Sequence, residues 1–233
     1  MRVLAVVQHP VAGVGVFGPE IAESGHRLEA WVPADGPPPR PLSHYDAVIA
    51  LGGGMQADEE DRFPWLATVR ELLQEAIDVR MPTLGVCLGG QVLARAAGGA
   101  VGPSPEAEWG WRRVELTEAA RADPLLGPLS PEAEVFQWHS YAFSLPPGAT
   151  PLAQSPVCLQ AFRVGPLAWG LQWHPEVTAE SIALWAERYP PAPGGVPVQV
   201  DREALAAQVA ARIARTNAEG RALCARFIAL AGQ

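Results

Sequence analysis

TLGVCLGGQVLARAAGG, residues 83–99, is the stretch that decides the fold. Its first four residues are apolar and partly β-branched, the composition of a short buried strand. QVLARAAGG has the small and straight-chain residues of a helix that stops at Gly98 and Gly99. Cys87 therefore sits on the bend between strand and helix. Such a bend forces an unfavourable backbone conformation on the residue at its apex, and Gly85, Gly89 and Gly90 leave room for the chain to turn and for a ligand to approach. The helix that begins there points free N–H groups and its positive dipole end at the sulfur. Both favour thiolate over thiol.

Working outward, apolar strand candidates alternate with helical stretches: RVLAVVQ, a helix near 17–24, RLEAWV, YDAVIAL, the helix FPWLATVRELLQEAIDVR, then TLGV. This alternation predicts an α/β three-layer sandwich with a mainly parallel central sheet, the site lying at the strand C-terminal ends. LGGGM (51–55) and Cys87 both fall on such ends. From 109 to 173 the pattern changes to strands separated by Pro and Gly turns, WRRVEL, AEVFQW, LAQS, CLQAFRV and LAWGLQW, which predicts an antiparallel extension of the same sheet. Helix returns at TAESIALWAERYP. PPAPGGVPV (190–198) reads as a stiff linker, and DREALAAQVAARIARTNAEGRALCARFIAL as one or two final helices. Leu205, Val209 and Ile213 recur at helical spacing, as do Leu223, Phe227 and Ile228, so this tail packs on the domain or on a partner. The expected organisation is a catalytic domain over 1–190 followed by a linker and helical tail over 191–233.

A nucleophilic thiol needs a base, and the base needs an orienting acid. The run LAWGLQWHPEV supplies both. In an extended backbone, residues two apart face the same side, so the Glu176 carboxylate can reach one nitrogen of His174 while the other faces Cys87. That is the logic of a nucleophile–base–acid triad with cysteine as nucleophile.

With these motifs in order along the chain, the sequence resembles the class I (triad-type) glutamine amidotransferase family, in the form of a stand-alone glutaminase domain of the GMP-synthase kind. Four segments across positions 1–190 carry the resemblance: LGGGM at 51–55, GVCLGGQVLA at 85–94, WHSYAF at 138–143 and LQWHPE at 171–176. The resemblance implies a flavodoxin-like sheet, with Cys87 as nucleophile, His174 as base and Glu176 as its partner. It further implies an oxyanion hole from the backbone N–H groups of Gly53 and Leu88. Met55, Gln91, Trp138, Ser140 and Tyr141 would hold the amino-acid end of glutamine. The family often reads GGP where this chain has Gly52, Gly53 and Gly54, so this loop lacks the preorganisation that proline confers.

The implied reaction is hydrolysis of the γ-carboxamide of glutamine through a γ-glutamyl thioester, with the ammonia passing to a separate synthetase subunit. No phosphate loop or SGGxDS stretch occurs here to use ATP, and no metal or organic cofactor is required. Two alternatives stand beside it: a stand-alone γ-glutamyl peptidase or hydrolase, and a non-catalytic regulatory binding subunit. Trp109 and Trp111 are candidates for the mouth of the site, and with Trp138 to Tyr141 they are bulky enough to exclude a residue beyond the γ-carbonyl.

Composition excludes other classes. The chain has 233 residues, 48% of them hydrophobic, enough for one well-buried domain. All 17 basic residues are arginine against 25 acidic ones, a net charge of −8 without a basic run, so neither nucleic acid nor membrane is an expected partner. The first residues, MRVLAVVQ, read as a strand and not as a leader or a span, and a cytoplasmic location is expected. Cys87, Cys158 and Cys224 are odd in number and far apart, with neither disulfide nor zinc spacing. Cys158, in a strand, and Cys224, in the tail, read as small buried hydrophobes. His139, among Trp138, Tyr141 and Phe143, is open between packing and the site and stays outside the catalytic set, and His9, His26 and His44 read as solvated or locally bonded.

Overall fold

The computed structural model describes residues 1–188 and 200–232, so the expected linker at 190–198 lies outside the described residues. Strands β1 (Arg2–Val6), β2 (Arg27–Trp31), β3 (Ala47–Ala50) and β4 (Thr83–Val86) pair in parallel. β2, at the sheet edge, keeps Arg27 and Ala30 exposed, whereas β1, β3 and β4 are buried on both faces and read as continuous apolar runs. Their side chains alternate: Val3, Ala47 and Ile49 enter one core layer, while Leu4, Val6, Val48 and Ala50 enter the other. The first layer is closed by α1 (Phe17–Glu23) and α5 (Arg202–Ala231), the second by α2 (Trp65–Asp78) and α3 (Leu88–Ala96). In α2 the buried residues Leu66, Val69, Leu72, Leu73 and Ala76 recur at helical spacing and make one apolar stripe.

The antiparallel part consists of β5 (Val101–Leu116), β6 (Glu132–Phe143), β7 (Thr150–Gln154) and β8 (Leu159–Val164). Together with β9 (Ala168–Leu171) the described strands form one sheet in the order β2-β1-β3-β4-β9-β8-β7-β5-β6. Two details differ from the sequence reading. LAWGL does not belong to the antiparallel extension alone, because β9 runs parallel to β4 and antiparallel to β8, and so welds the two halves. β5 also begins earlier than its prolines suggest. The ladder to β6 is irregular between Pro103 and Glu108, and this interruption accommodates residues that cannot donate to a regular ladder.

The order 2-1-3-4 places a topological switch point between β1 and β3, where a crevice opens at the carboxyl ends of the strands. Helix α4 (Ala179–Arg188) follows β9 and borders that crevice. Helix α5 starts at Asp201, whose side chain accepts from the Ala204 N–H, and its buried Leu223, Cys224, Phe227 and Ile228 complete the same core as β1 and β3. Helix α5 therefore packs on α1 and on the sheet face that carries Val3 and Ile49. Among the described residues no helix is long and apolar enough to cross a membrane.

Helix α5 also buttresses the turn after β9. Asn217 donates to the Val177 carbonyl at 2.6 Å, and a Cβ on Gly220 would overlap the carbonyl oxygen of Pro175. Gly220→Ala should therefore push helix and turn apart, at a cost of about 1–3 kcal/mol typical of overpacking. The expected outcome is a lower midpoint in urea unfolding together with reduced activity, since Pro175 lies between His174 and Glu176.

Candidate active site

Cys87 is the N-cap of α3, with φ +50° and ψ −109°. A non-glycine residue in this region is strained, and the surroundings hold it there. Its N–H donates to the Leu171 carbonyl of β9 at 2.8 Å, and its own carbonyl accepts from the Gln91 N–H at 2.9 Å. The glycines let helix and sheet close to this distance. A Cβ on Gly89 would overlap the Ala50 carbonyl oxygen, one on Gly90 would come within 2.7 Å of the Leu171 oxygen, and one on Gly85 within 2.6 Å of the Gly89 oxygen. The thiol is buried, at 6% exposure.

His174 and Glu176 follow β9. The His174 N–H donates to the Phe136 carbonyl at 2.9 Å, and its Nδ1 lies 2.8 Å from Glu176 Oε1. Glu176 is held through its backbone, its carbonyl accepting from the Val16 N–H at 2.9 Å. Burial pushes the imidazole pKa down, but the Glu176 carboxylate and the Cys87 sulfur, which interact with it by charge and by hydrogen bond, outweigh burial and raise it to about 10. The ring stands edge-on to Trp185 of α4, with centroids 4.8 Å apart. Gly52 leaves it space, since a Cβ there would come within 2.9 Å of His174 Cε1. The fold thus brings the three candidate triad residues together from two strand ends.

The remaining predicted site residues, Gly53, Met55, Leu88, Gln91, Trp138, Ser140 and Tyr141, line one pocket of about 340 Å³ with Cys87 and His174. Leu88 opens α3, so its N–H is among the helix-start donors without an intrahelical acceptor. Gln91 spends its amide N–H groups on the Tyr141 carbonyl at 3.0 Å and on Gln172 Oε1 at 3.4 Å. Burial and the carboxylates of Asp58 and Glu59 raise the Tyr141 pKa and keep its hydroxyl protonated.

Other readings are corrected. Trp111 does not reach the mouth of the site: its indole N–H donates to Thr216 of α5 at 2.8 Å and its ring packs edge-on against Phe136. Trp109 lies on the same strand face, stacked under Arg112, and is not part of the pocket wall. His9 is locally bonded, its Nδ1 accepting from the Val11 N–H at 3.4 Å, but it also lines the pocket, and burial lowers its pKa. Cys158 lies on the bend before β8, among polar partners and not within a strand.

Sequence reasoning also passed over Gln172. It is fully buried and donates to Cys87 Sγ at 3.7 Å, so it is the side-chain amide nearest the thiol in hydrogen-bonding terms. Its position one residue after a buried strand and two before His174 was the available signal. Trp185 and Arg188 of α4, together with Gln56, complete the pocket rim.

A buried thiol on a strand-to-helix bend, beside a carboxylate-bound imidazole at the carboxyl ends of a parallel sheet, defines a cysteine-dependent acyl-transfer enzyme. Comparison with known proteins gives the family. The sequence model described as "Glutamine amidotransferase class-I" matches residues 22–182, and the chain belongs to that family. The glutamine amidotransferase-like protein YfeJ of Salmonella typhimurium is 30% identical over 188 residues, covering 78% of each chain. A glutamine-hydrolysing GMP synthase subunit from Haloarcula marismortui is 37% identical over 134 residues, 55% of this chain and 64% of that one. Crystal structures of glutamine amidotransferases from Thermotoga maritima and Methylobacillus flagellatus superpose with TM-scores of 0.85 and 0.82, at 29% and 30% identity. They cover 98% of this chain and 98% and 93% of theirs.

The raised pKa of His174 makes a stability prediction. A group whose folded pKa lies above its unfolded value, roughly 6.5 for histidine, stabilises the fold fully below the lower value and loses that contribution as pH rises through the upper one. The difference in unfolding free energy between wild type and His174→Gln should therefore be largest below pH ~6.5 and shrink as pH approaches the folded value of about 10. Urea unfolding of both proteins across that window checks the sign.

Proposed function

We propose that Cys87 attacks the γ-carboxamide carbon of glutamine, with His174 as proton carrier and Glu176 holding its ring. The observation that carries this reading is the 2.8 Å contact between His174 Nδ1 and Glu176 Oε1, with Cys87 on the other side of the imidazole. Carbon–sulfur bond formation gives a tetrahedral oxyanion, for which the N–H groups of Gly53 and Leu88 are the donors. His174 gives its proton to the departing nitrogen. Ammonia leaves and a γ-glutamyl thioester remains. Water, deprotonated by His174, then releases glutamate and restores the thiol. Gln91 Oε1, left over when its N–H groups are committed, accepts from the α-amino group of the substrate, and Met55, Trp138, Ser140 and Tyr141 complete the grip.

The ammonia goes to a separate synthetase chain. The resemblance to chains named as glutamine-hydrolysing GMP synthase subunits supports this reading. A second reading draws on the position of Trp111. With that side chain turned to α5 and Trp109 outside the pocket wall, Trp138 and Trp185 are the tryptophans that line the pocket among the described residues. The leaving amine of a γ-glutamyl amide larger than ammonia fits this reading.

6-Diazo-5-oxo-norleucine, a glutamine analogue that alkylates activated thiols, should label Cys87 alone. Burial pushes both other thiols up to about 12, leaving them poor nucleophiles. Peptide mapping that finds the adduct on Cys158 or Cys224 refutes the assignment.

His174→Ala should remove nearly all turnover, while Glu176→Gln retains a measurable fraction, because the first transfers protons and the second orients. Steady-state release of ammonia from glutamine, beside release of amine from γ-glutamyl peptides, checks both variants. A higher kcat/KM for the peptides favours the second reading.

A further inference from the structure

Antiparallel pairing sets Glu108 of β5 directly opposite His139 of β6, so their side chains leave the same face of the sheet, away from Trp138. The bend before β8 adds Cys158 to that face. One ligand atom from each of the three residues lies within 4.8 Å of the other two. Glu108 and His139 are buried, at 5% exposure each, and Cys158 is half-buried.

The imidazole geometry is the informative part. His139 Nδ1 lies 3.0 Å from the Tyr141 carbonyl, an acceptor only, so Nδ1 carries the hydrogen. Nε2 then presents its lone pair to the cluster. It stands 3.3 Å from Glu108 Oε2, near enough for an ion pair, yet it has no partner by hydrogen-bond geometry. A cation between the two would be held by both lone pairs. An imidazole fixed by a carbonyl on its far nitrogen is also the usual arrangement of a metal-binding histidine.

We propose that Glu108, His139 and Cys158 form a binding site for one divalent cation of zinc type, separate from the thiol chemistry at Cys87. Ligand chemistry selects the ion: a thiolate, an imidazole and a carboxylate suit zinc and not calcium or magnesium. The spacing agrees. Metal–ligand distances of about 2.0–2.3 Å around a tetrahedral zinc separate the ligand atoms by about 3.3–3.6 Å. The observed separations are 3.3 Å from His139 Nε2 to Glu108 Oε2 and 3.5 Å from Glu108 Oε2 to Cys158 Sγ. The third edge, from His139 to Cys158, lies within 4.8 Å. The thiol gives up its proton on binding, as zinc-bound cysteines do.

Gln160 supplies the fourth position. Its amide nitrogen lies 2.7 Å from Glu108 Oε2 and 3.3 Å from Cys158 Sγ, and its oxygen accepts from Gln137 Nε2 at 2.6 Å. Coupled half-turns of the two amides keep their mutual hydrogen bond and bring Gln160 Oε1 to the ion. The ion would tie β5, β6 and the β7–β8 turn behind the strand whose residues 138–141 line the pocket. Through His139 it would also fix the Tyr141 carbonyl, to which Gln91 is bonded.

Cobalt(II) titration tests the site in the chelator-treated full-length chain carrying Cys87→Ala, so that the pocket thiol contributes nothing. Binding of one ion per chain is expected, with thiolate-to-cobalt charge-transfer absorption, displacement by zinc, and a higher Tm with zinc than without. Cys158→Ser should abolish the charge-transfer band, and His139→Gln should weaken binding by at least about tenfold. No band at saturating cobalt, or a band that persists in Cys158→Ser, overturns the proposal. The first of these outcomes needs no cluster variant to fold, so the test stands on the parent chain alone.

Discussion

The left-handed backbone at Cys87 is the constraint on which the rest of the structure depends. A strained non-glycine residue costs on the order of 1–3 kcal/mol and persists only where its surroundings overdetermine it. Here β9 takes the Cys87 N–H, α3 takes its carbonyl, and Gly85, Gly89 and Gly90 let helix and sheet approach within backbone contact. The insertion of β9 beside β4, far apart in sequence, is thus coupled to the bend. It also delivers His174 and Glu176 three and five residues beyond Leu171. One pairing therefore makes the strain and positions the groups that use it.

A buried polar layer extends this coupling across the sheet. Gln172 reaches Cys87 on one side and Gln91 on the other, Gln91 reaches the Tyr141 carbonyl, and the same carbonyl receives His139. Such groups are costly to bury unless paired, and paired they hold one arrangement of the core. Trp138 and Phe136 on the opposite face, stacked with centroids 6.0 Å apart, hold β6 from the other side. The strand that lines the pocket is therefore pinned by aromatic packing on one face and by hydrogen bonds on the other.

Local signals made much of this legible in the sequence. Strand and helix periodicity located the parallel half, and the spacing of His174 and Glu176 across one proline announced their shared side of the chain. The readings that went astray concern pairings between distant segments. Trp109 and Trp111 looked like pocket walls because aromatics near a site motif invite that reading; only the β5–β6 register and α5 decide which face they take. Cys158 looked like an apolar filler because nothing local reveals that Glu108, fifty residues earlier, ends beside it. Gln172 was hidden for the same reason, its role being defined by a residue of another strand end.

The two faces of the pocket carry different constraints, and this bears on the chemistry. The wall formed by Gln91, Ser140 and Tyr141 is built from β6 and α3, and the Gln91 amide N–H groups are committed to the Tyr141 carbonyl and Gln172. The wall beside His174 is built from Trp185 and Arg188 of α4 and from Val11 and Ala12 of the β1–α1 loop, joined by the Trp185 indole N–H on the Val11 carbonyl at 2.8 Å. In the proposed reaction that side receives the departing amine, because His174 hands over the proton there. Its boundary is set by a surface helix and a loop and not by the sheet. The amino-acid grip is consequently tied to the same backbone that strains Cys87, while the leaving-group side can vary without disturbing the bend. Under the proposed reaction, selectivity among γ-glutamyl amides is thus a property of α4 and the β1–α1 loop, and the acyl-transfer chemistry a property of the sheet.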